Sequence, residues 1–321
     1  MRIIKHFLFL TIVFWTQANV VFAERVLIGV PGLGVSYFPL VTAMYKGFMK
    51  EEGLEPSFIV MRLPVVPAAL MSDDLDYTTG GFSTVPGAVA KGSPLKVFMV
   101  VTGRPQHALV VKKPEIKTIK DLVGKPIAVN PGAVERMAVE IFRKHRLDPT
   151  RDLKRVYTGE PAARLAMLDR GLVDGAILDL VGTAKAEEVG FRIVQNIAEI
   201  SQIPLAALAA SERKITSNPD QVKRLIRATL RGVQYYMDVQ NKEEIIPMIT
   251  KWSKIESKTA GRVYDLGVIS HNRDGMPTEE MLQEVAKGLA DAGVLQASDL
   301  VRTNLLDLTL LREVLAAGLK K

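Results

Sequence analysis

The order of apolar and amphipathic runs predicts an α/β chain of two lobes, joined by a two-crossing hinge and followed by a helical C-terminal extension. Two observations carry this. Strand-like and helix-like segments alternate from Val26 to Ala210, which is the pattern of a sheet covered by helices on both faces. That alternation is interrupted twice, at residues 102–107 and 201–204, where Gly103, Pro105 and Pro204 suit a chain leaving regular structure. Two crossings let the lobes bend without separating.

The elements follow in order. Residues 26–30 (VLIGV) read as a buried strand and 39–52 as a helix ending near Gly53. Residues 56–61 are a second strand, 67–71 a short helix and 76–79 a third strand. Gly80-Gly81 leads into a helix over 83–91, and an apolar strand fills 95–102. The rhythm repeats with a strand at 108–111, a short helix at 118–123 with Asp121 three residues after a capping Thr118, and a strand at 126–130. A helix over 133–145, a strand at 154–157, a helix over 161–170 stopped by Gly171, a strand at 175–178 and a helix to 189 come next. Strands at 192–197 and 205–210 close the series, and the alternation implies parallel pairing.

From Ser217 the pattern is helical. Ser217 or Asn218 caps a helix with Pro219 in its first turn. Val222, Leu225, Ile226, Thr229, Val233 and Tyr236 share its apolar face, and further helices fall near 243–252, 258–268, 278–290 and 305–319. The expected organisation is a leader over 1–23, lobe one over 24–103 plus 205–321, and lobe two over 104–204.

The leader reading comes from MRIIKHFLFLTIVFWTQANVVFA: Arg2 and Lys5 precede an apolar run over 7–15, and Val21 and Ala23 put small residues three and one before a cut. That is a secretory signal peptide cleaved after Ala23. The apolar run falls short of the roughly 20 residues a bilayer span needs. The chain has no cysteine, so it has no disulfide framework, thiolate nucleophile or cysteine-bound metal, and no lipid-modified cysteine at the cut. An exported chain without that anchor is expected in a periplasm. The net charge of +7 falls to +5 once Arg2 and Lys5 are removed (7 − 2), with no basic stripe of the kind a nucleic-acid binder carries. Lys112, Lys113, Lys117, Lys120 and Lys125 gather locally and read as a solvated edge.

With this layout in view, the chain resembles the nitrate/sulfonate/taurine-type substrate-binding proteins of ABC importers. The stretches that carry the resemblance are VLIGVPGLGVSYFPLVTAMYKGFMKEEGLEP, DYTTGGFSTVPGAVAKGSPLKVF, PEIKTIKDLVGKPIAVNPGAVERMAVEIFRKHRLDP, RLAMLDRGLVDGAILD and NPDQVKRLIRATLRGVQYY, in that order along nearly the whole mature chain. The resemblance implies a type II periplasmic-binding-protein fold, a small-molecule ligand in the cleft, and a membrane permease with its ATPase as partners. No enzyme activity, cofactor or nucleic-acid partner is expected, and a monomer is.

In parallel α/β sheets ligands bind beyond the carboxyl ends of the strands. In lobe one that points to Gly34, Ser36 and Tyr37, to Arg62, and to Gly81, Phe82, Ser83 and Thr84. In lobe two it points to Asn130, Gly132, Ala133 and Glu135, to Glu160 and to Asp179. Gly80 to Thr84 and Asn130 to Ala133 each run from a strand into a helix, where free N–H groups favour a carboxylate or sulfonate; capping alone explains Ser83 equally well. Tyr37 is expected at a wet rim and Phe38 in the core. Arg62 and Arg104 could pair with an anion, although a salt bridge suits Arg104 better. An inward Glu135, Glu160 or Asp179 would instead admit a cationic or hydroxylated ligand, so the balance leans to an anionic ligand without fixing the sign.

Enzyme readings fare worse. Gly32-Leu33-Gly34 lacks the third glycine of a dinucleotide loop, with Tyr37 standing there. His6, His107, His145 and His271 are too scattered for one metal site. His107, at the first crossing, could touch a ligand, but a structural role weighs more. A pyrimidine synthase of thiamine biosynthesis resembles these binding proteins, so a pyrimidine ligand or that chemistry is an alternative. Its cysteine-rich iron motif is absent here. A binding protein that serves a membrane receptor is the other alternative.

Overall fold

The computed structural model describes residues 23–159 and 161–319. Residues 1–22 of the expected leader, and Glu160, therefore lie outside the described residues.

The first half of lobe one contains β1 (Glu24–Val30), α1 (Phe38–Tyr45), α2 (Phe48–Glu51), β2 (Leu54–Val60), α3 (Val66–Met71), β3 (Tyr77–Thr78), α4 (Val85–Val89) and β4 (Leu95–Thr102). Lobe two contains β5 (His107–Val111), β6 (Pro126–Val129), α5 (Ala133–Lys144), β7 (Lys154–Tyr157), α6 (Pro161–Asp169), β8 (Gly175–Asp179), α7 (Leu180–Glu188) and β9 (Arg192–Asn196). The chain then returns through β10 (Ala206–Ser211) and continues as α8 (Glu212–Ser217), α9 (Pro219–Met237), α10 (Lys242–Ser253), α11 (Ser257–Gly267), α12 (Glu279–Asp291), α13 (Ala297–Leu300) and α14 (Thr309–Ala317). Two five-stranded sheets result, ordered β2-β1-β3-β10-β4 and β7-β6-β8-β5-β9.

The pairing is mixed, which corrects the parallel expectation. β10 runs antiparallel to β3 and β4, and β5 runs antiparallel to β8 and β9. The reason is connectivity. β4 and β9 end at the side facing the other lobe, so the strand that each crossing feeds must enter its sheet there and run away from it. The remaining ladders are parallel.

Helix boundaries differ from expectation where the backbone has to turn. The run expected as one helix over 39–52 is split into α1 and α2 by Gly47, whose φ of 79° only glycine adopts freely. The last expected helix, 305–319, begins as a π-turn at Val301–Leu305, and α14 starts only at Thr309.

Both sheets are covered on both faces, so β4 and β8 read as near-continuous apolar runs. On one side of the first sheet, α9 buries Val222, Leu225, Ile226, Thr229, Val233 and Tyr236, the face its spacing predicts. Phe38 meets Tyr236 there, ring centroids 5.7 Å apart, as a core residue should. Leu70, Val85, Val97, Ala207, Val285 and Leu289 fill the other side. In lobe two, Met137, Ile141 and Phe142 of α5 pack on one face of the sheet, and Leu168, Ala176 and Leu178 join the cluster on the other.

The lobes also meet outside the hinge. Leu180 and Ala184 of α7 join the lobe-one core beside Ala260, Val263 and Tyr264 of α11. Arg262 grips Glu187 with two hydrogen bonds of 2.7 and 2.9 Å, and the Thr259 hydroxyl donates to Glu188 at 2.7 Å.

Candidate ligand cleft

A cleft of about 640 Å³ opens between the two sheets. From lobe one it is lined by the segment after β1 (Pro31, Gly32, Gly34, Val35, Ser36, Tyr37), by Leu63 after β2 and by Thr79, Gly80 and Ser83 after β3. From lobe two come Pro161, Asp179, Leu180 and Val181. The two crossings add Gln106 and His107 at the start of β5, and Leu205 and Ala206 at the start of β10. Most of this wall is apolar, as small-molecule clefts are, with a few placed polar groups.

The loop after β1 is held by aromatics. Tyr37 is fully buried, stacks on Phe58 at 6.3 Å and meets Trp252 edge-on at 6.2 Å. Its hydroxyl donates to the Gly32 carbonyl, and the Trp252 indole N–H donates to the Gly34 carbonyl at 3.2 Å. Tyr37 thus borders the cleft, but its hydroxyl is tied to the loop and is not at a wet rim as expected. Burial raises the pKa of that hydroxyl above the ordinary phenol value, so it keeps its proton and stays a donor.

The loop after β3 is held by β10. The Gly81 N–H donates to the Ala207 carbonyl at 3.0 Å, and a Cβ on Gly81 would stand 2.7 Å from that same oxygen. Gly81 is glycine here because two backbones touch. The Thr84 hydroxyl donates back to Gly80 at 3.3 Å.

A chain of polar groups runs behind the hinge. Gln106 Nε2 lies 3.3 Å from His271 Nε2, His271 Nδ1 lies 3.0 Å from Thr102 Oγ1, and the Thr102 hydroxyl donates to the Ser36 carbonyl. These bonds assign a neutral ring: Gln106 donates to Nε2, and Nδ1–H donates to Thr102. Burial holds the His271 pKa down at about 3. The Gly103 and Arg104 N–H groups both donate to the Ser270 carbonyl, at 2.9 and 3.2 Å, so a third segment braces the crossing.

Of the residues expected from sequence, Gly34, Ser36, Tyr37, Ser83 and Asp179 stand together around the cleft. Arg62 is exposed, at the start of the turn Leu63–Val65, and its neighbour Leu63 supplies the wall instead. Gly81 and Thr84 support the loop from behind. Phe82 is half-buried and lines an adjoining groove of about 250 Å³ that shares Ser83 with the cleft. Arg104 turns to the Ala198 carbonyl at 3.4 Å. Gly132 and Glu135 border another groove, of about 500 Å³, between α5 and α12. Glu135 is taken up by Arg155 at 2.8 Å and by the Tyr157 hydroxyl at 2.8 Å. Asn130 accepts the Glu135 N–H at 3.1 Å through its carbonyl, and Ala133 is exposed on the first turn of α5. None of Asn130, Gly132, Ala133 and Glu135 lines the 640 Å³ cleft.

Sequence reasoning missed Gln106, Leu205 and Ala206 as wall residues and gave His107 mainly a structural role. It looked mainly at carboxyl ends of strands, and at the crossings weighed only Arg104 and His107, whereas β5 and β10 begin at the cleft. The signal was present in the two crossings themselves.

The family model for NMT1/THI5-like proteins matches residues 35–243, well over half of the chain. The chain belongs to the NMT1/THI5-like family. No curated protein sequence matches it significantly. Among solved structures it is similar to a putative periplasmic sulfonate-binding protein, SsuA, of an ABC transporter from Methylobacillus flagellatus KT, at 21% identity and a TM-score of 0.71 over 92% of this chain and 95% of that one. It is similar to the periplasmic nitrate-binding protein NrtA from Synechocystis PCC 6803, at 15% identity and a TM-score of 0.67 over 92% and 89%. It is also similar to the desulfurization enzyme DszB, at 14% identity and a TM-score of 0.61 over 92% and 99%. These likenesses establish the two-lobe fold.

Proposed function

We propose that this NMT1/THI5-like chain is a periplasmic solute-binding component of an ABC importer, which captures a small organic molecule between its lobes and presents it to a permease and ATPase. The observation that carries the reading is one cleft walled by segments of both lobes and by both crossings. A ligand touching both lobes binds the closed form better than the open one, which is what closure requires. The hinge of this reading comprises residues 103–106 and 201–205. A volume of about 640 Å³ suits an organic molecule, and a bare inorganic ion would fill little of it.

Two solved neighbours are named as binding proteins and one as an enzyme, so the fold alone leaves catalysis open. The binding reading is favoured by the chain itself. It has no cysteine, and among the described residues no group of histidine and carboxylate side chains could hold a metal. Among those residues, too, no helix is long and apolar enough to cross a membrane. The test is a thermal-shift screen of the purified protein against sulfonates, carboxylates, nitrate, pyrimidines and aromatic acids. A ligand raises the melting temperature by mass action. Absence of any shift in every class would count against the cleft.

A further inference from the structure

We infer that His107 and Asp179 form the ligand-reading edge of lobe two, and that this edge selects a compound offering a hydrogen-bond donor, an N–H or O–H, on a flat apolar body. The inference rests on the cleft being the solute site. It goes beyond that reading by naming the recognition element and the class of ligand.

The two residues are direct cross-strand partners at the mouth of the β5–β8 ladder, so their side chains are neighbours on the cleft wall. Asp179 caps α7: its Oδ1 accepts the Gly182 N–H at 2.8 Å. Its Oδ2 has no hydrogen-bond partner among the described residues, and a carboxylate offers only acceptors. Neither ring nitrogen of His107 has a hydrogen-bond partner among those residues, and Nδ1 is buried. Burial, helped by the positive charge of Arg164, pulls the His107 pKa down to about 4 despite the nearby Asp179, so the ring is neutral.

Among the described residues no lysine or arginine lines the cleft. Arg164, 2% exposed, lies behind the wall and donates through Nε to the Ile177 carbonyl at 2.7 Å. An anionic group placed at this edge would face the Asp179 carboxylate directly, while Arg164, whose charge reaches His107, stands behind the wall and not in it. A donor would instead pair with the half-buried Asp179 carboxylate beside His107, whose Nδ1 is buried and unmatched, and an unmatched buried polar atom is costly. An anionic or acceptor group elsewhere on the same ligand, against the lobe-one loops, is compatible with this edge.

The test is isothermal titration of the purified protein with benzoate, benzamide and benzamidine, and with the same three end groups on propionyl and naphthoyl bodies. The expected result is that amide or amidine binds at least about tenfold more tightly than the carboxylate of the same body. Asp179→Asn should shrink that preference to about twofold or less, because asparagine keeps the helix cap and loses only the charge. His107→Phe, which keeps the ring and removes the nitrogens, should weaken the amide most. Circular dichroism melting checks that both variants fold. Tightest binding by the carboxylates, or a preference untouched in both variants, would overturn the inference. So would a protein that ignores all three series yet binds a sulfonate equally well in wild type and both variants, and that outcome would leave the cleft reading standing. Binding of nothing at all would overturn both.

Discussion

His271 shows what a single buried group does to the stability of this chain. It is 6% exposed, lies 4.8 Å from the Tyr236 ring and sits in the chain that links Gln106 to Ser36. Its folded pKa, about 3, is below the ordinary histidine value of 6.5. The unfolded chain therefore binds the extra proton first as pH falls. The stabilisation is complete above about pH 6.5 and is lost as pH falls toward 3. By linkage the loss is roughly 2 kcal/mol by pH 5, and His107 adds a loss of the same sign. Urea unfolding between pH 5 and 7 should show this slope, and His271→Gln should reduce it. Gly81 gives a second prediction. Gly81→Ala sets a methyl 2.7 Å from the Ala207 carbonyl, a backbone atom of β10 that has nowhere to go. The expected cost is about 1–3 kcal/mol, read as a melting temperature several degrees lower.

At the scale of elements, the direction of β5 and β10 decides who lines the cleft. Each begins at the hinge, so His107 and Ala206 face the ligand space from the first residue of a strand, beside Asp179 from the last residue of β8. The seam between α7 and α11 ties the lobes at a second place. Its ion pair, Arg262 with Glu187, is partly exposed, at 43% and 27% of the side chains. Such a pair is worth about 1 kcal/mol or less, and salt screens it. Arg262→Glu should lower the melting temperature by only a degree or two at low salt, and by less at 1 M salt. A larger, salt-independent loss would mean that Arg262 is held by packing.

For the whole molecule, a cleft built from both lobes predicts a change of shape on binding. A compact chain of about 300 residues has a radius of gyration of about 19 Å. Small-angle scattering should show the radius moving toward that value when a ligand from the thermal-shift screen is added. A ligand that stabilises the protein without compaction would place its site on one lobe alone. The apolar wall, with Tyr37 buried against the half-buried Phe58 and Trp252, favours closure onto an organic body.

What the sequence determined by itself was the periodic and the local. The alternation of runs showed two α/β halves and a helical tail, because burying one face of each element imposes its period on the chain. The α9 face and Phe38 were legible for the same reason. Glycines and prolines marked the crossings because few other residues leave regular structure so readily. Strand ends pointed to Ser36, Ser83 and Asp179, which border the cleft. Only the tertiary structure decided which polar groups face inward, because that depends on contacts between residues far apart in the chain. Arg104 is spent on Ala198, Glu135 on Arg155 and the Tyr37 hydroxyl on Gly32. The antiparallel entry of β5, which no period encodes, brings His107 against Asp179.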